Sequence, residues 1–235
     1  MKLPERNRRL KQLVELSRRI GTAPESFAIL GEGNTSTRSG EDTFWVKASG
    51  TSLSTAEKDS FTECRRPVLD SLWESSVRSD SQVDEKLLES RAKPKDRKPS
   101  TEALFHSYLL SLPEIEWVAH THPIAVNGIL CSPRAADFAK FRMFPDEIVC
   151  GGEQSVLVPY TDPGVPLAFT QNVSSADRVD VFPSPRMAKD SGAVPILLES
   201  STSCLSRLFR SAAFIASPFL LWGYFLQPTV ARSHR

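Results

Sequence analysis

The sequence lacks an excess of charge of either sign, and this argues against partners that bind by overall charge. It has 29 Lys and Arg residues against 28 Asp and Glu residues, a net charge of +1. A chain with so balanced a charge has no strong field to attract nucleic acid or an acidic membrane surface, so neither is expected as a partner. The first twenty residues also lack the long apolar run of a secretory signal. We therefore expect a cytoplasmic protein.

Cysteine is also scarce, and its spacing excludes a disulfide framework. The four cysteines are far apart and form no CxxC pair: Cys64, Cys131, Cys150 and Cys204. Free thiols in a reducing compartment are the simpler interpretation. With 235 residues, of which 40% are hydrophobic, the chain can bury one core of good size in one or two domains.

Apolar periodicity in the first hundred residues predicts a mixed α/β domain. We predict an amphipathic helix over residues 5–20, a buried strand over 26–30 and another strand over 43–50. Residues 60–98 carry many charges of both signs, so we predict a solvated connection there. One helix is expected inside it, anchored by Val68, Leu69, Leu72, Trp73 and Val77.

The second half continues the alternation of helices and strands. "STEALFHSYLLSLP" predicts a helix capped by Ser100 and closed by Pro113. A strand, "EIEWVAHTHP", and a helix over residues 124–130 follow, and further strands are expected within 147–160 and 193–200.

The motif "HTHP" places two of the four histidines, His120 and His122, two residues apart in a predicted strand. Side chains at i and i+2 of a strand point to the same face, about 6–7 Å apart at Cα, so both imidazoles can reach one metal ion. Two hydrogen-bonded polar side chains at a strand end are the alternative, and a carboxylate nearby would favour the metal site.

Glu102 is the natural candidate for that carboxylate, since its helix leads directly into the histidine strand. An acidic residue also suits a first helical turn simply because of the helix dipole. Its functional interpretation is a general base beside a metal. His106, four residues on, lies on the same helical face and could support Glu102.

Three short segments are rich in hydrogen-bond donors. "GEGNTSTR" is not a dinucleotide-binding fingerprint, because Ser36 stands in place of the third glycine and a strand rather than a helix is expected to follow. Residues 33–36, 48–52 and 99–101 are instead predicted to form turns whose N–H and hydroxyl groups could together bind a phosphate.

Taken together, "GEGNTSTR", "VKASGTSL", "PSTEALFH", "HTHP" and "VPYTDPGVPLA" resemble the class II aldolase/adducin family over roughly residues 10–198. This resemblance implies an α/β fold, a three-layer α/β/α sandwich with a central, mainly antiparallel sheet. It implies a domain over residues 1–198, followed by an atypical tail over 199–235. It also implies a homotetramer with active sites at subunit interfaces.

The resemblance further implies roles for individual residues. His120 and His122 match zinc ligands, and Glu102 matches the catalytic acid/base. Tyr160 matches a tyrosine that reaches into a neighbouring subunit's site and donates a proton to the aldehyde part of the substrate. The donors that hold the substrate phosphate are matched by Asn34, Ser49, Gly50, Ser100 and Thr101.

The activity implied is that of a Zn²⁺-dependent aldehyde-lyase with one metal per chain. It would cleave a ketose 1-phosphate of the fuculose or rhamnulose type by retro-aldol chemistry through a metal-stabilised enediolate. The alternatives are a sugar-phosphate epimerase or dehydratase of the same family, and a non-catalytic adducin-like member that acts in protein association.

The chain departs from the family pattern after residue 198. The third metal histidine of the family follows a buried strand, whereas here "VPILLE" is followed by "SSTSCLSRLFR" and Ser201 stands at the expected position. Either a frameshift near Glu199 replaced the C-terminus, or the site is altered and Glu102 acts as third ligand. Residues 211–231 carry no charge, but two prolines, a glycine and a glutamine argue against a membrane span.

Overall fold

The computed structural model describes residues 1–22, 27–28, 30–74, 79–112, 115–143, 145 and 212–216. The strands expected within 147–160 and 193–200 lie outside these residues, as do Tyr160, Ser201, Cys150 and Cys204. The described part contains six α-helices: α1 Leu3–Gly21, α2 Arg66–Glu74, α3 Asp80–Ser90, α4 Ala103–Ser111, α5 Ile124–Leu130 and α6 Ala135–Lys140.

The described strands form one sheet. They are β1 Asn34–Arg38, β2 Thr43–Lys47, β3 Phe61–Arg65, β4 Trp117–Thr121 and β5 Ala212–Ala216, in the order β3-β2-β1-β4-β5. Every pair is antiparallel except β4 with β5. The prediction of a mainly antiparallel sheet is therefore confirmed, and five residues of the tail supply its parallel edge strand.

Helices cover both faces of the sheet, because successive side chains of a strand point to opposite sides. In β2, Phe44 and Val46 pack against the buried side chains of α2, α3 and α4. Trp45, between them, packs with α1 and α5 on the other face. The chain is thus an α/β sandwich, with α1 and α5 on one side of the sheet and α2, α3 and α4 on the other.

The predicted strand over residues 26–30 is wrong for the residues that the structure describes. Phe27 and Ala28 are buried in bends, and Leu30 lies in a turn with a positive φ of 53°. The Phe27 N–H donates to the Ile20 carbonyl at the end of α1, and the Phe27 carbonyl accepts from the His122 N–H. These bonds join the end of α1 to the end of β4 and satisfy the backbone of Phe27. The apolar segment can therefore be buried without pairing as a strand.

The described parts of residues 60–98 contain more regular secondary structure than predicted. Besides α2 and α3, they contain the edge strand β3, in which Glu63 is buried. A carboxylate at such a position needs partners, and Glu63 accepts hydrogen bonds from Arg6 and from the Ser39 hydroxyl. These partners are distant in sequence, which is why a charged segment could be mistaken for a solvated connection.

The two described cysteines, Cys64 and Cys131, are both free, as expected. Within the residues that the structure describes, no helix is long and apolar enough to cross a membrane.

Candidate metal-binding and catalytic site

His120 and His122 lie side by side at the end of β4. Their ring centroids are 4.6 Å apart, which agrees with two side chains on one face of a strand. The His120 ring also contacts Phe105 of α4 edge-on, at 5.7 Å between centroids. Only 2% of its side chain is exposed, so the pair sits where the sheet meets α4.

Glu102 stands at the N-terminal boundary of α4, with one carboxylate oxygen 3.1 Å from Nδ1 of His120. Burial raises the pKa of Glu102. The net effect is nevertheless a lower pKa, about 2, because three neighbours stabilise the carboxylate more strongly than burial destabilises it. They are His120, by charge and contact, His106, by charge, and Asn34, by contact. The carboxylate is therefore ionised at neutral pH, as a proton acceptor must be.

Several polar atoms around Glu102 are buried without a hydrogen-bond partner among the described residues. They include Nε2 of His120 and both side-chain polar atoms of Asn34, which pairs with His120 across β1 and β4. Buried polar groups in proteins almost always have a partner. Such unpaired atoms fit a site that holds a polar or metallic ligand.

His106 lies behind Glu102 and is fully buried. Its Nδ1 is 2.6 Å from the Ser36 hydroxyl, which fixes the ring against β1. Burial lowers the pKa of His106 to about 3, against the charge of Glu102, so the ring is neutral at neutral pH. Its place beside Glu102 agrees with the predicted supporting role.

Burial also lowers the pKa of His122, to about 4. A neutral imidazole has a free nitrogen lone pair, so His122 needs to lose no proton before it binds a metal at neutral pH.

Two of the three predicted phosphate turns are joined directly. Ala48 and Pro99 form a β-bridge, the Ser49 N–H donates to the Lys98 carbonyl, and the Ser100 N–H donates to the Lys47 carbonyl. These bonds place Ser49 and Gly50 beside Ser100 and Thr101. Ser49, Gly50 and Thr101 are exposed, so their remaining polar groups can reach a ligand.

The third predicted turn is wrong in part, because Asn34, Thr35 and Ser36 are residues of β1. The hydroxyls of Thr35 and Ser36 are occupied by Ser17 and His106. Of the polar side chains in this segment, Asn34 alone retains unpaired atoms and lies beside Glu102. α4 also begins three residues after Ser100, whose hydroxyl accepts from the Glu102 N–H instead of capping a longer helix.

Lys47 is a site residue that the sequence reasoning missed. Only 4% of it is exposed, and its ammonium donates to the carbonyls of Gly31 and Thr51, at 2.9 and 2.8 Å. Burial lowers its pKa, and the charge of Glu102 opposes this. Lys47 thus ties together the two loops that flank the site. The sequence feature that could have identified Lys47 is a lysine at the end of a buried strand, between two donor-rich segments.

The donor set suits a divalent metal, because imidazoles and carboxylates are ordinary zinc ligands. Within the described ranges, no three His, Cys, Asp or Glu side chains are already arranged to hold an ion. His120, His122 and the Glu102 carboxylate lie beside one another without forming such a set.

The sequence matches the family described as "Class II Aldolase and Adducin N-terminal domain" over residues 11–182. The chain belongs to this class II aldolase/adducin family. No curated protein matches it.

Solved structures agree with this assignment. The N-terminal class II aldolase domain of a conserved protein from Thermoplasma acidophilum is 26% identical, with a TM-score of 0.55 over 72% of this chain and 76% of that one. YgbL from Escherichia coli, a putative aldolase/epimerase/decarboxylase, is 17% identical, with a TM-score of 0.51 over 71% of this chain and 69% of that one. At that identity, the YgbL likeness shows the fold alone.

Proposed function

We propose that this chain is a Zn²⁺-dependent aldolase that cleaves a ketose 1-phosphate into dihydroxyacetone phosphate and an aldehyde. The observation that carries the proposal is the juxtaposition of His120 and His122 with the Glu102 carboxylate, 3.1 Å from His120. A pure scaffold needs neither a pair of imidazoles nor a partly buried, ionised carboxylate beside them.

The chain's own residues divide the work. His120 and His122 would hold the metal, which, when bound, supplies a Lewis acid for the carbonyl and hydroxyl oxygens of the substrate. In the condensation direction, Glu102 removes a proton from the hydroxymethyl carbon of dihydroxyacetone phosphate. In cleavage, the C4 hydroxyl loses its proton to the group that acts on the aldehyde part as the C3–C4 bond breaks. Glu102, protonated from water, then delivers a proton to the carbon that becomes the hydroxymethyl group. The low pKa of Glu102 favours the ionised form that condensation requires.

The joined turns suit the phosphate of the substrate. Ser49, Gly50, Ser100 and Thr101 lie together just before α4, where the helix dipole favours an anion. The N–H groups of Ser49 and Ser100 are already bonded to carbonyls, so the hydroxyls and the N–H groups of Gly50 and Thr101 are the donors available to it. Asn34 adds an unpaired amide next to Glu102. Phosphate bound by these groups would direct the carbon end of the substrate towards Glu102 and the histidines.

A homotetramer is part of this proposal, with Tyr160 of a neighbouring subunit acting on the aldehyde part. Exposed apolar side chains at Leu30, Ile124, Phe141 and Met143 favour association with another surface. The same side chains also favour the second candidate function, a non-catalytic adducin-like member, and Ser201 in place of a third histidine points the same way.

A coupled assay separates these functions. The zinc-loaded chain is expected to release dihydroxyacetone phosphate from fuculose 1-phosphate or rhamnulose 1-phosphate, to lose this activity with a chelator, and to regain it with Zn²⁺. Unphosphorylated sugars should react poorly. Epimerisation of a pentulose 5-phosphate without cleavage would assign the epimerase chemistry instead. A folded, zinc-loaded chain without either activity would favour the adducin-like function.

A further inference from the structure

Each histidine of the site has a carboxylate on the Nδ1 side of its ring. For His120 this is Glu102, at 3.1 Å. For His122 it is Glu32, whose carboxylate oxygen lies 4.0 Å from Nδ1. Both ring nitrogens of His120 are buried, and neither makes a hydrogen bond within the described structure. In both pairs the carboxylate lies near Nδ1 without a formed hydrogen bond, and the distance is longer for His122.

The backbone holds Glu32 at this place. The His122 N–H donates to the Phe27 carbonyl at 2.6 Å, which fixes the end of β4 against the segment that leads to Glu32. On one side of Glu32, the Gly31 carbonyl accepts from Lys47. On the other side, Gly33 packs so closely on β4 that a Cβ atom there would lie 2.9 Å from the His120 carbonyl oxygen.

A neutral imidazole has one nitrogen that donates a hydrogen bond and one that accepts. A carboxylate that accepts from Nδ1–H fixes this tautomer, and the lone pair of Nε2 is then available to a metal. Metal-ligating histidines usually donate their other N–H to a carboxylate, carbonyl or water, and this contact raises the basicity of the ligand. An acceptor for His122 would matter most in a chain with Ser201 in place of a third histidine.

We propose that Glu32 is the positioning residue of His122. Its carboxylate accepts the Nδ1–H of His122 and so directs Nε2 towards a divalent metal shared with His120. From 4.0 Å, the carboxylate must approach by about 1 Å to form a hydrogen bond. Half of the Glu32 side chain is exposed, so it has the freedom to do so. This inference rests on the proposed metal site and adds an acidic residue to it.

The test is the Zn²⁺ affinity of the full-length chain, measured by competition with a chromophoric chelator. Glu32→Ala is expected to weaken binding about 10- to 100-fold, the usual cost of losing such a partner. Glu32→Gln keeps a neutral acceptor and should lose less. The matched control is Glu41→Ala, which removes the same charge from an exposed residue at the opposite end of the β1–β2 hairpin and should leave affinity unchanged.

A spectrum distinguishes a positioning residue from a ligand. Co²⁺ in place of Zn²⁺ should keep its absorption pattern in Glu32→Ala at saturating metal, because Glu32 does not touch the ion. A changed ligand set in that spectrum would overturn the positioning role. Unchanged Zn²⁺ affinity in Glu32→Ala would overturn it too. Equal losses of Zn²⁺ affinity in Glu32→Ala and Glu32→Gln would assign the loss to the charge of Glu32 alone, and not to a hydrogen bond with His122. If the wild-type chain binds no Zn²⁺, this inference and the metal-dependent function fail together; the other results reject this inference alone.

Discussion

Glu102→Gln is expected to reduce the rate of dihydroxyacetone phosphate formation about 100- to 10,000-fold, the usual contribution of a positioned acid or base. Glutamine has nearly the same shape, so it can still lie beside His120 at the start of α4. It cannot accept a proton, however. The rate should fall at saturating substrate, because the loss affects proton transfer rather than binding.

The Zn²⁺ content of Glu102→Gln should stay close to that of the wild type, since both imidazoles remain. Glu57→Gln is a suitable control, because 72% of that side chain is exposed and it pairs with Arg18. Turnover in Glu102→Gln equal to that of the control would exclude Glu102 as the base. A simultaneous loss of metal would make Glu102 a ligand instead.

Gly33→Ala is expected to destabilise the chain by about 3 kcal/mol and to weaken metal binding. Gly33 has a φ of +72°, which a residue with a side chain adopts at a cost. An alanine Cβ would also lie 2.8 Å from the Ala28 Cβ and 2.9 Å from the His120 carbonyl oxygen. The resulting displacement would act directly on the strand that carries the histidines.

Gly50→Ala is the matched control for this variant. Gly50 has nearly the same φ, +74°, but no atom of the described structure lies within 4 Å of the added Cβ. The free energy of unfolding of Gly50→Ala, measured by chemical denaturation, should therefore fall only by the cost of a positive φ in alanine, about 1 kcal/mol. Equal losses of unfolding free energy in Gly33→Ala and Gly50→Ala would show that β4 can move aside without a loss of stability. The close contact of Gly33 with the His120 carbonyl would then be unimportant.

Local patterns in the sequence were sufficient for α1, α5 and the histidine pair, but α3 and α6 were not predicted. Residues 124–130 form α5 as predicted, and α1 extends the expected helix by two residues at its start and one at its end. The i, i+2 spacing of His120 and His122 correctly placed the two rings side by side, although β4 ends at Thr121 and His122 follows it. Both inferences depend only on the period of a helix or a strand.

The features that were missed depend on partners distant in sequence. Strand β3 was overlooked because Glu63 is neutralised by Arg6 from α1. Lys47 gains its role only when Gly31 and Thr51 present their carbonyls to it. The parallel pairing of residues 212–216 with β4 could not be foreseen either, because the register between two strands is set by tertiary packing.

Zinc content per chain, measured by elemental analysis after loading and desalting, tests the proposed metal centre most directly. The wild-type chain should retain about one Zn²⁺, and His120→Ala, verified as folded by circular dichroism, should retain almost none. Full zinc occupancy in His120→Ala, or no zinc in the wild type, would contradict the assignment of His120 and His122 as metal ligands.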